Sequence, residues 1–555
     1  MNTTRLTAEK ATALKPEVKI IEERCAGCQE CIIRCPTQAL SMDIIRWKAT
    51  ADNDLCVGCR QCERTCPFSA ISVIGPRLVA ERTPTVFNNG SEVIGKNNEV
   101  RAGFANLEEA IKEAKRCLNC PDPTCFRGCP AHNDIPRFIE AIRNRDLELA
   151  SEIISKTSCL PGICSRVCNW PAQCEGSCNW ALAGGEPVAI GKLERFVTDN
   201  AKPMPVRQTS EKGKGLSVVI VGSGPAGIAA AWELASAGAT VAIYEKDQVP
   251  GGVLHWGIPS YILPDEVSER PIKALQDAGV KIYTNNPVSP EVMERLLKTH
   301  DAVIAAQGAP VAERPNIPGL DLAGVINATA FLSKAKQALA SGTPIPEFRG
   351  AQILVLGGSD TAIDVARSIA RLGGKAVIIH RREEQFSRAR EDEIAEAKHE
   401  GVEFRFATNI ARLEGDNGKL RRAVLVRTHQ KRADSVAEAV KGTEQTIEVN
   451  MVVLATGYKL DSHFSTIFGP LPLRQPLSDR LLPDRRWQAS GILTRNNPIG
   501  KLAWEREYGL RSSALPRFGK LWLVGDALIG PSTVVGSMAQ GKLAARAILE
   551  GRTSS

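Results

Sequence analysis

The chain has 555 residues, an apolar fraction of 43% and a formal net charge of +8. This length predicts about three or four domains, and the apolar fraction is sufficient for buried cores. The positive charge is spread along the sequence without a long Lys/Arg block, which argues against nucleic acid as the main partner. The N-terminal residues lack an apolar signal segment, and no stretch offers about 18 consecutive apolar residues. The sequence therefore predicts a cytoplasmic protein without a membrane span.

Cysteine is distributed very unevenly. All 17 cysteines lie between Cys25 and Cys178, which is not the distribution expected of disulfide bonds that stabilise a whole chain. The first eight form two copies of the spacing C-x2-C-x2-C-x3-C-P, and each cysteine of the second copy lies 31 residues after its counterpart. Zinc is the alternative ligand for such residues, but it usually takes two pairs of ligands rather than two quartets followed by proline.

The repeated spacing predicts a two-cluster ferredoxin module at residues 21–76, after an N-terminal tail at residues 1–20. In such a repeat, three thiolates of one copy hold one [4Fe-4S] cluster, and the fourth reaches the cluster of the other copy. The first predicted ligand set is Cys25, Cys28, Cys31 and Cys66, and the second is Cys56, Cys59, Cys62 and Cys35.

Residues 77–106 contain Pro, Asn and Gly without a clear periodicity and are predicted to form a linker. Because this linker separates the ferredoxin module from the rest of the chain, we expect the module to reach outward to a partner. A helix is predicted from Leu107 to Lys115, and a second field of cysteines follows it.

The second cysteine field contains RCLNCPDPTCFRGCPAHNDIP and ICSRVCNWPAQCEGSC. It resembles the cluster domain of the glutamate synthase small subunit, of the flavin-containing part of dihydropyrimidine dehydrogenase, and of the NADP-linked ferredoxin oxidoreductase large subunit. The resemblance runs from about Leu107 to the C-terminus and implies a helical domain at residues 107–205 with two further [4Fe-4S] clusters. Carried over by position, the third ligand set is Cys117, Cys120, Cys125 and Cys178, and the fourth is Cys129, Cys168, Cys174 and Glu194.

Glu194 is the unusual member of these sets. It stands in GKLERF, where the family shows a carboxylate or an amide. An oxygen ligand on a thiolate-bound cluster is chemically unusual, so the alternative is that Glu194 is an ordinary charged residue of a helix. Cys159 and Cys164 are not assigned to a cluster, and both are expected to be buried structural thiols.

A complete βαβ dinucleotide-binding unit follows. The apolar run Val218–Val221 predicts a strand, GSGPAG predicts a turn into an Ala-rich helix, and a second strand, Thr240–Tyr244, ends at Glu245. The glycines allow a pyrophosphate to approach the helix N-terminus, and Glu245 is placed to accept from ribose hydroxyls. An ordinary turn rich in small residues is the alternative. The predicted binding residues of the turn are Gly222, Gly224, Pro225, Ala226 and Gly227.

A second unit begins with the apolar strand Gln352–Leu356 and the turn GGSDTA. Ser359 replaces the middle glycine of the fingerprint, which weakens the motif taken alone. The predicted binding residues of this turn are Gly357, Ser359, Thr361 and Ala362.

The two units differ at the end of their second strand. His380 lies 23 residues after Gly357, at the position that Glu245 occupies in the first unit, and Arg381 and Arg382 follow it. An acid repels a 2′-phosphate and a guanidinium group binds it, so the first unit suits FAD and the second NADPH. If Arg381 and Arg382 are only solvated charges, NADH is the expected donor.

The resemblance implies further residues of the flavin site. Residues 251–264, GGVLHWGIPSYILP, are similar to the family loop that covers the isoalloxazine ring, and Asp526 is similar to the residue that binds the ribityl chain. A helix cap is the alternative role for Asp526. Residues 468–518 contain no motif that can be interpreted. The remaining site residues are Gly252, Gly257, Gly308, Gly457, Gly525 and Thr533.

The expected fold class is multidomain, with a ferredoxin-like α+β module, an α-helical iron-sulfur domain and two α/β Rossmann-like domains. The NADPH domain, at residues 346–455, is expected to be inserted between the two parts of the FAD domain, at 215–345 and 456–555. The resemblance implies an NAD(P)H-dependent oxidoreductase with FAD and four [4Fe-4S] clusters. Hydride transfer takes place at FAD, so no catalytic side chain is expected.

The expected partner is a ferredoxin or a separate catalytic subunit in a hetero-oligomer. One alternative is the small subunit of a glutamate synthase or the reductase subunit of a dihydropyrimidine dehydrogenase. Another is a noncatalytic electron-wiring subunit, in which Ser359 prevents nicotinamide binding.

Overall fold

The structure is a computed structural model that describes residues 15–78, 97, 99–100, 103–342, 345–387, 389–432, 435–459, 517–518 and 520–551. The described residues divide into two units. The first unit comprises residues 15–78 and 103–204, and the second comprises 97, 99–100 and the described residues from 205 onwards.

The N-terminal part of the first unit repeats one pattern twice. Its elements are β1 (Glu17–Ile20), α1 (Glu30–Ile33), β2 (Leu40–Asp43), β3 (Lys48–Ala51), α2 (Gln61–Thr65) and β4 (Ile71–Ile74). β1 pairs antiparallel with β4, and β2 pairs antiparallel with β3. Val18, Leu40 and Ile71 are buried among the cysteines, so the small core consists of aliphatic side chains and thiols.

β1 begins before the predicted module does. The sequence places residues 1–20 in a tail, but Glu17–Ile20 is a strand with every residue paired to β4. Val18 is buried against Val73, which explains why this short segment is part of the fold.

The rest of the first unit is helical. Its helices are α3 (Leu107–Ala114), α4 (Thr124–Gly128), α5 (Ile135–Arg143), α6 (Leu147–Ser155), α7 (Pro161–Val167), α8 (Asn179–Leu182) and α9 (Ile190–Asn200). Asn106 caps α3 by accepting from the backbone N–H of Glu109, and Asp146 caps α6 in the same way. Phe138, Ile142 and Leu193 lie in the core between these helices.

The second unit contains two large sheets and their helices. Its elements in chain order are β5 (Ser217–Val221), α10 (Pro225–Ser236), β6 (Thr240–Tyr244), α11 (Val253–Trp256), α12 (Asp265–Asp277), β7 (Lys281–Tyr283), α13 (Pro290–Thr299), β8 (Ala302–Ala305), β9 (Val311–Ala312), β10 (Val325–Asn327), α14 (Ala328–Ser341), β11 (Gln352–Leu356), α15 (Asp360–Arg371), β12 (Lys375–Ile379), α16 (Glu391–His399), β13 (Glu403–Arg405), β14 (Thr408–Asp416), β15 (Lys419–His429), β16 (Glu438–Ala439), β17 (Gln445–Glu448), β18 (Met451–Leu454), β19 (Tyr458–Lys459), β20 (Arg517–Phe518), β21 (Leu521–Leu523), α17 (Asp526–Ile529) and α18 (Val534–Glu550).

The first sheet has the strand order β20-β21-β8-β5-β6-β7. Its neighbouring strands are parallel except for the β20–β21 pair. The C-terminal helix α18 packs against α10, and an added Cβ on Gly541 would lie 2.0 Å from the carbonyl oxygen of Ala226. Only a glycine at this crossing lets the two helices approach so closely.

The second sheet has the parallel order β10-β18-β11-β12-β13. An antiparallel sheet of β14, β15, β16 and β17 accompanies it. The short antiparallel pair β9–β19 links the segment that follows β8 of the first sheet to the segment that follows β18 of the second sheet. The second sheet begins before residue 346, its predicted boundary, because β10 pairs with β18. Phe331 of α14 also belongs to its core.

The strands and the helix predicted from the sequence at β5, β6, β11 and α3 are present in the structure, with bounds that agree to within one residue. Residues 468–516, which the sequence left without an interpretation, lie outside the described residues. No helix in the described part of the chain has the length and apolar character needed to cross a membrane.

Candidate cofactor sites

The first thiol set lies in the ferredoxin module and includes one exposed cysteine. The pKa of the Cys31 thiol is raised to about 11, mainly by burial and also by the neighbouring thiols of Cys25, Cys28 and Cys66. The structure therefore brings the four predicted members of this set together. Cys28 is exposed, whereas Cys31 is buried.

In the second thiol set, Cys56, Cys59 and Cys62 are buried and Cys35 is half-buried. Burial raises the pKa of Cys62, and Cys59, Cys35 and Cys56 add to this effect because their charges lie nearby. Cys35 thus lies with the cysteines of the second copy, as the exchange of the fourth ligand predicts. The four sulfurs can hold one cluster.

The third set surrounds a cavity in the helical domain. Cys117, Cys120, Cys125 and Cys178 line the cavity together with apolar side chains that include Ile135 and Trp180. Burial raises the pKa of Cys125, and the other three thiols raise it further. An apolar cavity lined by four thiols fits a thiolate-bound iron-sulfur cluster.

The fourth set combines thiols with a buried carboxyl group. Burial raises the pKa of Glu194 to about 8, and the amide of Asn133 donates to its Oε1 at 3.3 Å. The nearby charges of Cys129 and Glu194 raise the pKa of Cys174, and the charge of Glu194 also raises the pKa of Cys168. Glu194 is therefore directed into the thiol group and is not a solvated residue of α9.

Cys164 lies closer to the fourth set than the sequence predicts. A hydrogen bond to Cys164 is the main cause of the raised pKa of Cys168. The charge of Cys164 also raises the pKa of Cys129. The site thus contains one candidate ligand more than a four-ligand cluster needs. Cys159 is buried, as expected.

A cluster site differs in size from the site of a single metal ion. Among the described residues, no group of three or more His, Cys, Asp or Glu side chains is arranged to hold one metal ion. A [4Fe-4S] cluster places four irons and four sulfides between its ligands, so its ligands stand further apart. The four sets contain the soft thiolates that such clusters prefer.

The ferredoxin module packs on the helical domain, which corrects the expectation of an outward-reaching module on a linker. Cys59 belongs to the core of the helical domain, and Val57 packs against it. The guanidinium Nε of Arg34 donates to Asp122 at 2.8 Å. These contacts could not be read from the linker composition, because they join residues far apart in sequence.

The turn after β5 is tightly packed at Gly222 and Gly227 and open at Gly224. Gly222 has φ +99°, and an added Cβ would clash with Ala306; an added Cβ on Gly227 would lie 2.0 Å from the Gly222 carbonyl oxygen. At Gly224, by contrast, an added Cβ would meet no described atom within 4 Å. Gly224 precedes Pro225 and Ala226 at the N-terminus of α10. This open face of a helix N-terminus fits a pyrophosphate.

Glu245 lies at the carboxyl end of β6 and is buried. Its Oε2 accepts from the backbone N–H of Ser223 at 2.9 Å and from the Ser223 hydroxyl at 2.5 Å. Its Oε1 accepts from the backbone N–H of Asp247 at 3.0 Å. A carboxylate has about four lone-pair positions, so acceptor capacity remains for a ribose beside the turn.

The loop at 251–264 folds over the glycine turn. An added Cβ on Gly252 would lie 3.2 Å from the Cα of Gly224, and Gly257 ends the short helix α11. Burial and the nearby ammonium group of Lys336 lower the pKa of His255, which favours its neutral imidazole.

Several buried polar atoms around this turn have no hydrogen-bond partner among the described residues. The loop contributes His255 Nδ1 and Trp256 Nε1, the end of β8 contributes Gln307 Oε1, and α18 contributes Gln540 Nε2. Buried polar groups are nearly always paired in proteins. Unpaired donors and acceptors beside a dinucleotide turn therefore fit a flat polar ring such as that of a flavin.

The C-terminal residues of the predicted site lie beside α10. An added Cβ on Gly525 would lie 2.9 Å from the Cβ of Ala226. Asp526 accepts from the hydroxyls of Ser532 and Ser537, and burial raises its pKa against the effect of these hydrogen bonds. Thr533 caps α18 by accepting from the N–H of Gly536.

Gly308 and Gly457 follow the strands β8 and β18, with φ +72° and +112°. The two glycines thus occupy equivalent places after the closing strands of the two sheets. Both φ values lie in the region that favours glycine, which is consistent with the turns predicted there.

The turn after β11 repeats the geometry of the first turn. Gly357 lies against Ala455 as Gly222 lies against Ala306, and an added Cβ on Gly358 would lie 2.0 Å from the His380 ring. His380 therefore occupies the position of Glu245. Ser359 is exposed at the start of α15, where Thr361 and the buried Ala362 follow it.

Arg381 and Arg382 lie at the carboxyl end of β12. The Thr428 hydroxyl donates to the carbonyl oxygen of Arg381 at 2.7 Å, and the N–H of Ala407 donates to that of Arg382 at 2.9 Å. These bonds hold the backbone of the pair, while the side chain of Arg381 is exposed. An exposed guanidinium group beside a dinucleotide turn can bind a phosphate.

Three family descriptions match successive parts of the chain. Residues 24–70 match a 4Fe-4S dicluster domain, residues 93–206 match the 4Fe-4S domain II of dihydropyrimidine dehydrogenase, and residues 216–469 match pyridine nucleotide-disulphide oxidoreductase. The glutamate synthase [NADPH] small chain of Escherichia coli (strain K12) is 32% identical over 367 residues, which cover 63% of this chain and 77% of that protein. The chain belongs to the glutamate synthase small chain family.

Other relatives carry different names. In this family, the NAD-dependent dihydropyrimidine dehydrogenase subunit PreT of E. coli is 37% identical over 311 residues, or 55% of this chain and 73% of that one. The E. coli protein UacF is 28% identical over 572 residues, or 98% of this chain and 83% of that one. As a member of the glutamate synthase small chain family, the protein is an iron-sulfur flavoprotein oxidoreductase, and this prediction is confirmed.

Proposed function

We propose that the protein passes electrons between NADPH and a partner protein through FAD and four [4Fe-4S] clusters. The observation that carries the proposal is the adjacency of the second and third thiol sets, since Cys59 of the second set and Cys178 of the third lie in the same buried core. The ferredoxin module thus continues the series of cluster sites of the helical domain. FAD supplies the conversion between a two-electron hydride and single electrons.

The side chains serve to bind and orient. We propose that the open face at Gly224 receives the FAD pyrophosphate, that Glu245 accepts from its ribose, and that the loop at 251–264 excludes water from its ring. The unpaired atoms of Trp256 and Gln307 support contacts with the ring edge. No side chain needs to act as a nucleophile, because the two redox groups supply the chemistry.

We propose that the second sheet binds NADPH and forms an inserted domain. The sheet order supports the insertion, since β8 and β21 are neighbours although the second sheet lies between them in sequence. Arg381 and Arg382 are the proposed 2′-phosphate ligands. NADH remains the alternative, because relatives are named for both nucleotides.

The proposed partner is a separate catalytic chain or a ferredoxin. Relatives are named as subunits of glutamate synthase, dihydropyrimidine dehydrogenase and formate dehydrogenase. The match with UacF spans 98% of this chain, while the match with the glutamate synthase small chain spans 63%. This difference favours a partner specific to chains that carry the N-terminal module.

The test is anaerobic reduction of the complete protein by NADPH, followed by absorbance. We expect bleaching of the flavin bands and then loss of the broad cluster absorbance. A native pull-down from the same cells then identifies the partner, and the reduced protein should transfer electrons to it. Flavin that neither NADPH nor NADH bleaches would contradict the proposal and leave the noncatalytic electron-wiring role.

A further inference from the structure

A network of polar side chains joins the second and third thiol sets. The Asn179 amide donates from Nδ2 to Gln61 Oε1 at 2.8 Å and to Cys120 Sγ at 3.0 Å. Arg64 donates to Asn179 Oδ1 at 2.8 Å and to the carbonyl oxygen of Cys59 at 3.0 Å. We call Gln61, Arg64 and Asn179 the thiol bridge.

The bridge residues belong to the two domains whose thiols they join. Gln61 and Arg64 lie on α2, between Cys59 and Cys66 of the ferredoxin module, and Asn179 directly follows Cys178 in the helical domain. Gln61 and Asn179 are buried. Arg64 is half-buried. The contacts of Gln61 and Asn179 are therefore shielded from water, and hydrogen bonds act more strongly in such an environment.

Arg64 is joined to both sets by hydrogen bonds. Its guanidinium group donates to the carbonyl oxygen of Cys59 and to Asn179, whose amide donates in turn to Cys120 Sγ. Two thiolate-bound sites carry negative charge, so their close approach is unfavourable unless a positive group lies between them. Arg64 supplies that group.

The amide of Asn179 donates a hydrogen bond directly to one ligand sulfur, Cys120 Sγ. A hydrogen bond to a ligand sulfur stabilises the reduced state of a cluster more than the oxidised state, because the reduced state carries one more negative charge. The Asn179–Cys120 bond therefore favours reduction at the third set. A contact with only a packing role would not direct a donor at a ligand atom.

We propose that Asn179 and Arg64 form the electron-transfer junction between the ferredoxin module and the helical domain. Asn179 sets the reduction potential of the third site, and Arg64 holds the second and third sites side by side. The inference rests on the proposed function. In the step itself, one site loses one electron and the other gains it, and no bond or proton is exchanged.

The test is an EPR-monitored redox titration of the complete, anaerobically purified protein without NADPH or partner. In Asn179→Ala we expect one of the four potentials to fall, so that its reduced-to-oxidised ratio at a fixed potential drops about tenfold, the equivalent of one hydrogen bond to a charged group. The other three potentials should not change. Four unchanged potentials, or four that shift together, would overturn the role of Asn179.

Asn169→Ala is the matched control. Asn169 follows Cys168 as Asn179 follows Cys178, and tryptophan comes next in both cases. Its Oδ1 accepts from the N–H of Ala172, which is a turn contact and not a sulfur contact. This variant should therefore keep all four potentials.

Arg64→Met keeps the test decisive if Asn179→Ala does not retain its iron. It removes the charge and preserves much of the side-chain volume. We expect two of the four potentials to fall together, with loss of the magnetic coupling between those two sites. Unchanged potentials and coupling would overturn the role of Arg64. Neither titration uses the nucleotide or the partner, so failure of the proposed function would appear separately.

Discussion

The Tyr261 ring lies beneath the guanidinium group of Arg371, with 4.1 Å between the guanidinium carbon and the ring centroid. Tyr261 belongs to the loop at 251–264, and Arg371 belongs to helix α15, which follows β11 of the second sheet. The Tyr261 hydroxyl donates to the carbonyl oxygen of Asp364 at 3.0 Å. The loop proposed to cover the flavin is thereby attached to the helix proposed to bind NADPH.

A buried ionic cluster supports this attachment. Arg367 donates to Glu393, Glu396 and Glu400 at distances of 2.7 to 2.9 Å. Arg371 donates to Glu400 at 2.6 Å. The charges are paired, and this pairing offsets the desolvation cost of burying the two guanidinium groups against an aromatic ring.

Loss of the Tyr261 side chain should destabilise the second unit. Tyr261→Ala removes a fully buried ring and should lower the free energy of unfolding by about 3–5 kcal/mol. Tyr261→Phe removes only the hydroxyl and should cost about 1 kcal/mol. Urea unfolding followed by circular dichroism measures both. In the control Tyr283→Phe, at a residue that is 41% exposed, the change should stay within about 0.5 kcal/mol.

The glycines of the first turn should separate ligand binding from folding. Gly224→Ala meets no described atom within 4 Å, so the protein should fold normally. Its methyl group would occupy the approach of the pyrophosphate, and we expect FAD affinity to fall at least about tenfold. The measurement is FAD rebinding to deflavinated protein.

Gly227→Ala is the matched comparison. Its Cβ would lie 2.0 Å from the Gly222 carbonyl oxygen, so the strand-to-helix packing must shift. This variant should lose thermal stability as well as FAD. Normal FAD binding by Gly224→Ala would show that the open face of the turn is not the pyrophosphate site.

Nucleotide preference should depend on Arg381 and Arg382. Replacing both by Ala should raise the KM for NADPH about 10- to 100-fold and leave that for NADH nearly unchanged, because only NADPH has a 2′-phosphate. Steady-state kinetics with both nucleotides gives the comparison. Arg421 and Arg422, an exposed pair on β15, provide the control double variant. Equal effects on both nucleotides would show that Arg381 and Arg382 are only solvated charges.

Glu194 should be required for the fourth cluster. Four ligand sets predict about sixteen irons per chain, and Glu194→Ala should lower this number to about twelve. Glu194→Gln keeps an oxygen ligand and should retain most of the iron. Iron analysis of anaerobically purified protein measures both variants. Full iron content in Glu194→Ala would point to Cys164 as the ligand instead.

The sequence predicts those features that depend on spacing or on local pattern. The repeat of 31 residues predicts the exchange of Cys35 and Cys66, and the glycine turns predict β5 and β11. These features are predictable because cluster geometry and the βαβ turn each restrict residue type at fixed intervals.

Contacts between ordinary polar residues are not predictable in this way. Gln61 and Asn179 are 118 positions apart, and neither residue type indicates a particular partner. The contact between Tyr261 and Arg371 is not predictable either, because the sequence shows only an aromatic residue in a loop and a charged residue in a helix. The sequence predicts the NADPH domain from residue 346 and does not indicate β10, because this strand has only three residues and no distinctive pattern.

The exit of electrons should depend on the first thiol set. Cys28 is the exposed member of that set, and the exposed side chains of Ile45 and Trp47 lie on the β2–β3 turn, which packs against the Cys25–Cys28 loop at Gly27. This cluster site therefore has solvent-exposed apolar surface beside it. Such a surface suits a transient contact with a redox partner.

Replacing Cys25 and Cys28 by Ser should remove this cluster and leave the second set docked on the helical domain. We expect anaerobic bleaching of FAD by NADPH to stay within about twofold, while transfer to the partner or to added ferredoxin falls at least about tenfold, because the outer electron carrier is lost. Deletion of residues 1–74 is less specific, since it also uncovers the third set. Cys159→Ala, at a thiol outside the four predicted sets, serves as the control. Transfer at the full rate by the double variant would show that the partner docks elsewhere, at the internal clusters or at the flavin.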